Sequence, residues 1–349
     1  MSRGGEGRVL DNIILQILNG LDKGAAYALI ALGLTLIFGT LGVVNFAHGA
    51  LFMIGAFCAV AFKFLLEMEV DTGEVTKTAF GEQPVVVDMA VYLFGDFGNW
   101  LIDWSVAVSI LLAIPFMLLI GWIMERGLIQ FFYKRPHAEQ ILVTFGLAIV
   151  LGEIIKLMFG ADAIPVPKPD ALKGIVDIGA LFGAEPYTII YPAWRLVYFV
   201  FAMVLIAGVF AFLQFTTFGM VVRAGMADRE TVGLLGIDID KRFTITFAIA
   251  ATIAGLAGLM YAPIISPNYE LGMNYLVLSF VVVVVGGMGS LVGAVLAGFL
   301  LGILESLAAL PQVTSIVLAI DQIIIYLVAV IVLLLRPRGL MGRKGVMEE

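Results

Sequence analysis

Two side chains inside the first apolar third of the chain could do chemistry: Asn45 and His48 in GVVNFAHGALFMIGAF, residues 42–57. An Asn amide offers two donors and an acceptor, and an imidazole can hold or pass a proton near neutral pH. No charged residue stands between Lys23 and Lys63. Two readings follow from this placement. Asn45 to Gly49 can be a hydrated hairpin turn that restarts a helix, with Asn45 capping its free N–H groups. Alternatively the second helix begins at membrane depth, and Asn45 and His48 face a water-filled path, because irregular backbone is not tolerated against lipid.

The remaining ionisable residues narrow the chemistry. Glu153 and Lys156 fall within one apolar run at i, i+3, close enough to pair on one helix face. Glu153 is thus a third candidate for a translocation path, since a charge at that depth faces protein or water. Glu305 and Asp321 lie near helix ends, and Glu125 with Arg126 border a basic linker. A proton relay needs several unpaired carboxylates aligned across the bilayer, and this pattern supplies none. One cysteine, Cys58, and two histidines give neither an intrachain disulfide nor a zinc or iron–sulfur ligand set. No acid–base pair deep in the apolar runs suggests an intramembrane enzyme.

Composition says which elements must position these residues. Of 349 residues, 61% are hydrophobic and 13% charged, about half the charged share of a soluble domain, which is roughly 25%. Runs such as VLSFVVVVVGG do not alternate, so the chain reads as an all-α polytopic membrane protein and not as a β-barrel. Apolar windows place spans at 24–44, 46–65, 104–125, 139–159, 193–214, 243–263, 270–286, 290–308 and 317–335. The seventh is short, with Glu270 near its start, so the count is eight or nine. Residues 12–18 are too few to span and are expected along the interface. No small-residue cleavage site follows the first run, so that span is expected to be retained.

Linkers 127–138 and 215–242 with the tail 336–349 hold ten Lys and Arg, whereas 67–103 and 160–192 hold three. The positive-inside rule puts the first group in the cytoplasm, and parity with nine spans places the N-terminus outside. The two outer linkers also carry twelve acidic residues. The net charge of −7 therefore belongs to one membrane face and gives no support for a nucleic-acid partner. That face is either simply depleted of Lys and Arg or a dock for a partner with basic patches.

Many of the thirty-nine glycines lie within spans. Gly289, Gly293, Ala297, Gly298 and Gly302 form one small-residue stripe, and Ala251, Ala254, Gly255 and Gly258 another. Such stripes let transmembrane backbones approach closely. Linker 215–242 contains a short helix candidate from Asp228 to Leu235, with Asp228 as N-cap and Gly236 as left-handed terminator. Arg223, Arg229, Lys241 and Arg242 surround it. A basic amphipathic helix there can lie on lipid headgroups or enter a groove of a soluble partner.

Glu230-Thr-Val-x-x-x-Gly236 resembles the E-A-A-x-x-x-G cytoplasmic loop of ABC importer permeases, with Thr231 and Val232 replacing two alanines. DRETVGLLGIDIDKRFTITFAIAATIAGLAG and ALIALGLTLIFGTLGVVNFAHGALFMIGA are similar to the LivH-type branched-chain amino-acid permeases. VTFGLAIVLGEIIKLMFGADAIPVP and VVVVVGGMGSLVGAVLAGFLLGILE extend the likeness, so residues 15–62 and 138–336 are covered. The resemblance implies one transmembrane permease domain over 1–349, with the ABC importer permease fold, in a bacterial inner membrane. It implies extracytoplasmic loops at 66–103 and 160–192 and a coupling loop at 215–242, in which Arg223, Asp228, Arg229, Glu230 and Gly236 meet an ATPase.

No G-x-x-x-x-G-K-[ST] motif occurs in the chain. ATP is then expected to be used by two cytoplasmic ATP-binding partner subunits, with no cofactor in this chain. A second homologous permease subunit and a periplasmic substrate-binding protein complete the implied assembly. Branched-chain or related amino acids are the implied cargo. Urea or short amides are the alternative within the family, and an ion-coupled secondary transporter is the alternative outside it.

Overall fold

The computed structural model describes residues 3–78, 81–133, 135–179, 188–227, 229–234, 236 and 238–342. Helices dominate: α1 (Arg3–Leu41), α2 (His48–Leu66), then a hairpin of β1 (Glu69–Thr78) and β2 (Gly81–Asp88), and short helices α3 (Met89–Phe94) and α4 (Asp96–Asp103). The chain continues through α5 (Ser105–Gly127), α6 (His137–Phe159), the short strands β3 (Ile175–Asp177) and β4 (Ile190–Pro192), and α7 (Ala193–Phe215). It ends with α8 (Thr217–Ala227), α9 (Arg229–Leu234), α10 (Ile239–Ile265), α11 (Leu271–Gly286), α12 (Leu291–Ala308), α13 (Pro311–Thr314) and α14 (Ile320–Leu335). Among the described residues seven helices are long and apolar enough to cross a bilayer, and α11 and α14 are shorter apolar helices. At 16 residues, α11 rises about 24 Å, short of a full hydrocarbon core.

The bundle is built around α1, α2 and α10, whose side chains form most of the main core. Small residues set these contacts. A Cβ on Gly55 of α2 would fall on the backbone of Gly255 of α10, and one on Gly258 would fall on the Phe52 carbonyl. Along α1, Gly20, Gly24 and Ala28 meet Gly298, Gly302 and Ile303 of α12 backbone to backbone. Close approach multiplies dispersion contacts, which hold helices together where lipid is as apolar as the interface. Both glycine stripes expected from the sequence pack in this way, except that Gly289 lies in the α11–α12 turn at φ +83.

The 12–18 stretch departs from expectation, because it continues α1 and is not a separate interfacial segment. Its cover comes from far along the chain. Ile178, Ile189 and Tyr191 of the second acidic linker pack on Ile14, Leu15 and Leu18, and the Tyr191 hydroxyl lies 3.0 Å from the Leu18 carbonyl oxygen. The two acidic linkers meet at this end of the bundle: the Asp170 amide donates to Asp103 Oδ1 at 2.7 Å, and Lys63 Nζ to the Pro165 carbonyl at 3.4 Å. At the opposite, basic end the tail turns back on the α11–α12 corner, with Leu340 N donating to Val285 O at 2.8 Å and Met341 N to Gly286 O at 3.0 Å.

Candidate functional site

The break between α1 and α2 is buried within the protein. Asn45 and His48 are both 0% exposed. Asn45 is not the helix N-cap; that position belongs to Ala47, which makes no side-chain cap bond. Instead Asn45 Oδ1 accepts from the Ala47 amide at 3.0 Å, closing an Asx turn two residues ahead of the helix. The Phe46 amide donates to Thr144 Oγ1 of α6 at 3.0 Å, and the Phe46 ring packs 5.2 Å from Phe280 of α11. Neither reading from the sequence describes this arrangement: with both side chains fully buried, Asn45 and His48 form no hydrated surface turn and face no water-filled path, because α6 and α11 take the places that water would occupy.

The depth of this start can be read from its neighbours. The His48 ring stands over Gly33 of α1 and beside the Ala250 carbonyl of α10. Gly33 is eight residues from the basic end of α1, and Ala250 is nine residues past Lys241. At 1.5 Å per residue, α2 begins about 12 Å inside the ends of the helices around it. A short irregular segment, from Gly42 (φ +65) to the turn at Phe46 and Ala47, brings the chain up to that level.

Glu153 is not brought to this site. It stands on an exposed flank of α6, nine residues beyond Thr144 towards the acidic end. Its carboxylate pairs with Lys156 at 3.6 Å as the spacing predicts, and the Lys156 ammonium lies 4.7 Å from the Tyr269 ring.

The linker after α7 forms a braced elbow. Thr216 ends α7 and starts α8, with its Oγ1 donating to Phe212 O at 2.6 Å and accepting from the Gly219 amide at 3.0 Å. A Cβ on Gly219 would meet the Leu213 backbone, so this corner requires glycine. Arg223 reaches back to the Leu213 carbonyl and to Gln214 Oε1, placing a cation on the free carbonyls of a helix C-terminus. On the other side the Arg242 guanidinium of α10 lies 5.5 Å from the Phe218 ring of α8. Arg223 thus clamps α8 to α7, and Arg242 clamps it to α10.

The expected short helix runs Arg229–Leu234. Gly236 closes it with φ +78, its amide N–H donating a hydrogen bond to Gly233 O at 3.0 Å. Val232 is buried while Leu234 is 87% exposed. Asp228 and Leu235 lie outside the described residues, and only the backbone of Arg229 and Glu230 is described. Asp238, at the start of α10, accepts from the Lys241 amide at 3.1 Å. That bond and the Lys241 side chain hold its carboxyl below the usual range.

Sequence reasoning missed a polar network at the acidic end. Asp22, 1% exposed, is 3.3 Å from Arg195 Nη1 and 3.0 Å from the Tyr191 hydroxyl. Arg195 also donates to Asn19 Oδ1 at 2.8 Å. One turn on, Lys23 and Tyr27 meet Glu305 at 2.8 and 2.7 Å. These bonds tie α1 to α7 and α12. A cleft of about 440 Å³ lined by Asn12, Gln16, Asn19, Tyr191, Arg195 and Leu310 opens beside them. The one signal available in the sequence was Asp22-Lys23 directly before an uncharged span.

A glycine-welded bundle of long apolar helices, with one helix starting at depth and a braced basic elbow, is a multi-pass membrane protein. The chain belongs to the family described as branched-chain amino acid transport system, permease component, which matches residues 16–333. It is 27% identical over 337 residues to the high-affinity branched-chain amino acid transport system permease protein LivH of Escherichia coli K12, covering 95% of this chain and 96% of that protein. It is 28% identical over 340 residues to BraD of Pseudomonas aeruginosa, with the same coverage. A probable LivH of Methanocaldococcus jannaschii is 25% identical over 324 residues, covering 90% of this chain and 88% of that protein. No solved structure matches.

Proposed function

We propose that this chain is the transmembrane subunit of an ATP-driven importer that carries branched-chain amino acids across a bacterial inner membrane. One observation carries the reading: the family match runs unbroken from residue 16 to 333, through both the recessed start of α2 and the α8–α9 elbow. Hydrolysis takes place in two cytoplasmic ATP-binding subunits, and this chain needs no cofactor of its own. A second, related permease subunit completes the conduit, and a substrate-binding protein delivers cargo to the acidic end.

The elbow supports a mechanism. A partner that pushes on α9 moves α8, and the Arg223 and Arg242 clamps pass that movement to α7 and α10. Because α10 is welded to α2 through Gly55 and Gly255, the displacement reaches the recessed helix start at Asn45 and His48. Nucleotide state then biases an outward- or inward-facing arrangement, to the extent that partner contacts differ between the two.

The test is uptake of radiolabelled leucine by vesicles containing this chain, its partner subunits and the binding protein. Uptake is expected only with ATP and all subunits present. Accumulation by this chain alone on an ion gradient would refute the proposal and favour a secondary carrier. Transport of urea or a short amide in place of leucine would move the cargo assignment within the family.

A further inference from the structure

The short helices α3 and α4 carry a surface that the mechanism proposed above does not use. Gly95, at φ +58, turns the chain between them, and Gly98 lets α4 lie directly on the Ala90 carbonyl. On α4 and its C-cap Trp104, residues Phe97, Trp100 and Trp104 fall on one arc, Gly98 and Ile102 on the packed side, and Asp96, Asn99 and Asp103 on a third. The aromatic rings form a ladder. Phe94 and Phe97 meet edge-on at 6.4 Å, Phe97 and Trp100 stack at 5.4 Å, and Trp100 and Trp104 stack at 6.4 Å. Tyr92, Leu93, Phe94, Phe97 and Trp100 are nonetheless exposed.

The surroundings of this ladder say what covers it. Both helices pack on α2, and α4 leads directly into α5. Exposed Phe64 and Leu65 at the end of α2, Met68 just past it, and Leu111 and Leu112 on α5 continue the apolar surface into the flank of the spans. The polar edge faces another way: Asp103 is bonded to the Asp170 amide of the second acidic linker. Trp and Tyr concentrate where a bilayer meets water, and an amphipathic helix with such a face lies in that plane.

We propose that α3–α4 is a membrane-interface anchor, with the Phe94–Phe97–Trp100–Trp104 ladder seated at the headgroup–acyl boundary of the outer leaflet. The anchor fixes the height of the β1–β2 hairpin above the bilayer. The assignment stands apart from the transport reading, because it concerns lipid contact and not cargo or coupling.

Tryptophan quenching by brominated lipid tests it. Trp122 is exposed on α5 towards the basic end, so W122F is the background, and the buried Trp194, bonded to Met260 O at 3.2 Å, stays in place. The chain, alone and with its partner subunits, is reconstituted in phosphatidylcholine brominated close to the ester end of its acyl chains. W122F is expected to lose more emission than W122F/W100F/W104F, and bromine at the far end of the chains should quench less. Equal emission in brominated and plain lipid, or strong quenching by aqueous iodide, would overturn the anchor. Lipid quenching that vanishes once the partner subunits bind would also overturn it, because the ladder would then be a protein interface. A second measurement needs no substitution: a photoactivatable phosphatidylcholine should label peptide 89–104 of the unaltered chain, and an unlabelled peptide would count against the assignment.

Discussion

A Cβ placed on Gly33 of α1 would stand 2.7 Å from Nε2 of His48, so the imidazole of α2 fills the space that a side chain on α1 would need. The Ala250 carbonyl of α10 lies 3.1 Å from the same point. The polar restart of α2 is therefore fitted between the two most central helices. Gly33→Ala should cost about 1–3 kcal/mol through overpacking, seen as a lowered melting temperature in detergent. Adding His48→Ala in the same chain should return most of that loss. Strictly additive losses in the double variant would show that the two residues do not share the space.

Helices α2 and α10 cross at Gly55 and Gly255, where a Cβ on Gly55 would overlap the Gly255 backbone. No rotamer can relieve a clash with backbone, so Gly55→Ala must separate the helices. Monodisperse protein should disappear from size-exclusion profiles. Gly146 on α6 faces open space and provides the control. Gly146→Ala should hold or raise stability, by about 0.5–1 kcal/mol, because it removes helix-interior glycine entropy.

The Asp22–Arg195 pair is nearly closed to water at its acidic partner, where the Asp22 side chain is 2% exposed. Arg195→Ala strands a buried carboxylate and should cost about 3 kcal/mol, at the lower end for a broken buried pair because Arg195 is partly solvated. The double variant D22N/R195Q should recover more than half of the loss. Chemical denaturation of the chain in micelles measures both. A double variant as unstable as the single one would remove the pairing from the account of stability.

Leu234 projects from α9 while Val232 anchors it, so the exposed leucine is the contact that a driving partner would use. Leu234→Asp should leave the helical signal in circular dichroism unchanged, yet weaken co-purification with the ATP-binding subunits and abolish ATP-driven uptake. Gly236→Ala introduces a side chain at φ +78, a strain of about 1–2 kcal/mol. It should lower uptake with the bundle intact. Normal pumping by both variants would sink the elbow mechanism.

The sequence by itself determined the apolar spans, most of the two small-residue stripes and the terminator at Gly236. These features are local: a helix forms from bonds four residues apart, hydropathy is read over one window, and a left-handed cap needs one glycine. The family was legible because its motifs are contiguous. Tertiary structure alone decided which polar groups meet. Lys23 finds Glu305 282 residues away, and Asp22 finds Tyr191 across 169. It also decided that residues 12–18 extend α1, since their cover comes from Ile178, Ile189 and Tyr191. Likewise it set α2 starting about 12 Å within the bundle, because depth depends on where Gly33, Thr144 and Ala250 of three other helices come to rest. A buried polar group meets whatever packing brings beside it, and no local pattern encodes that neighbour.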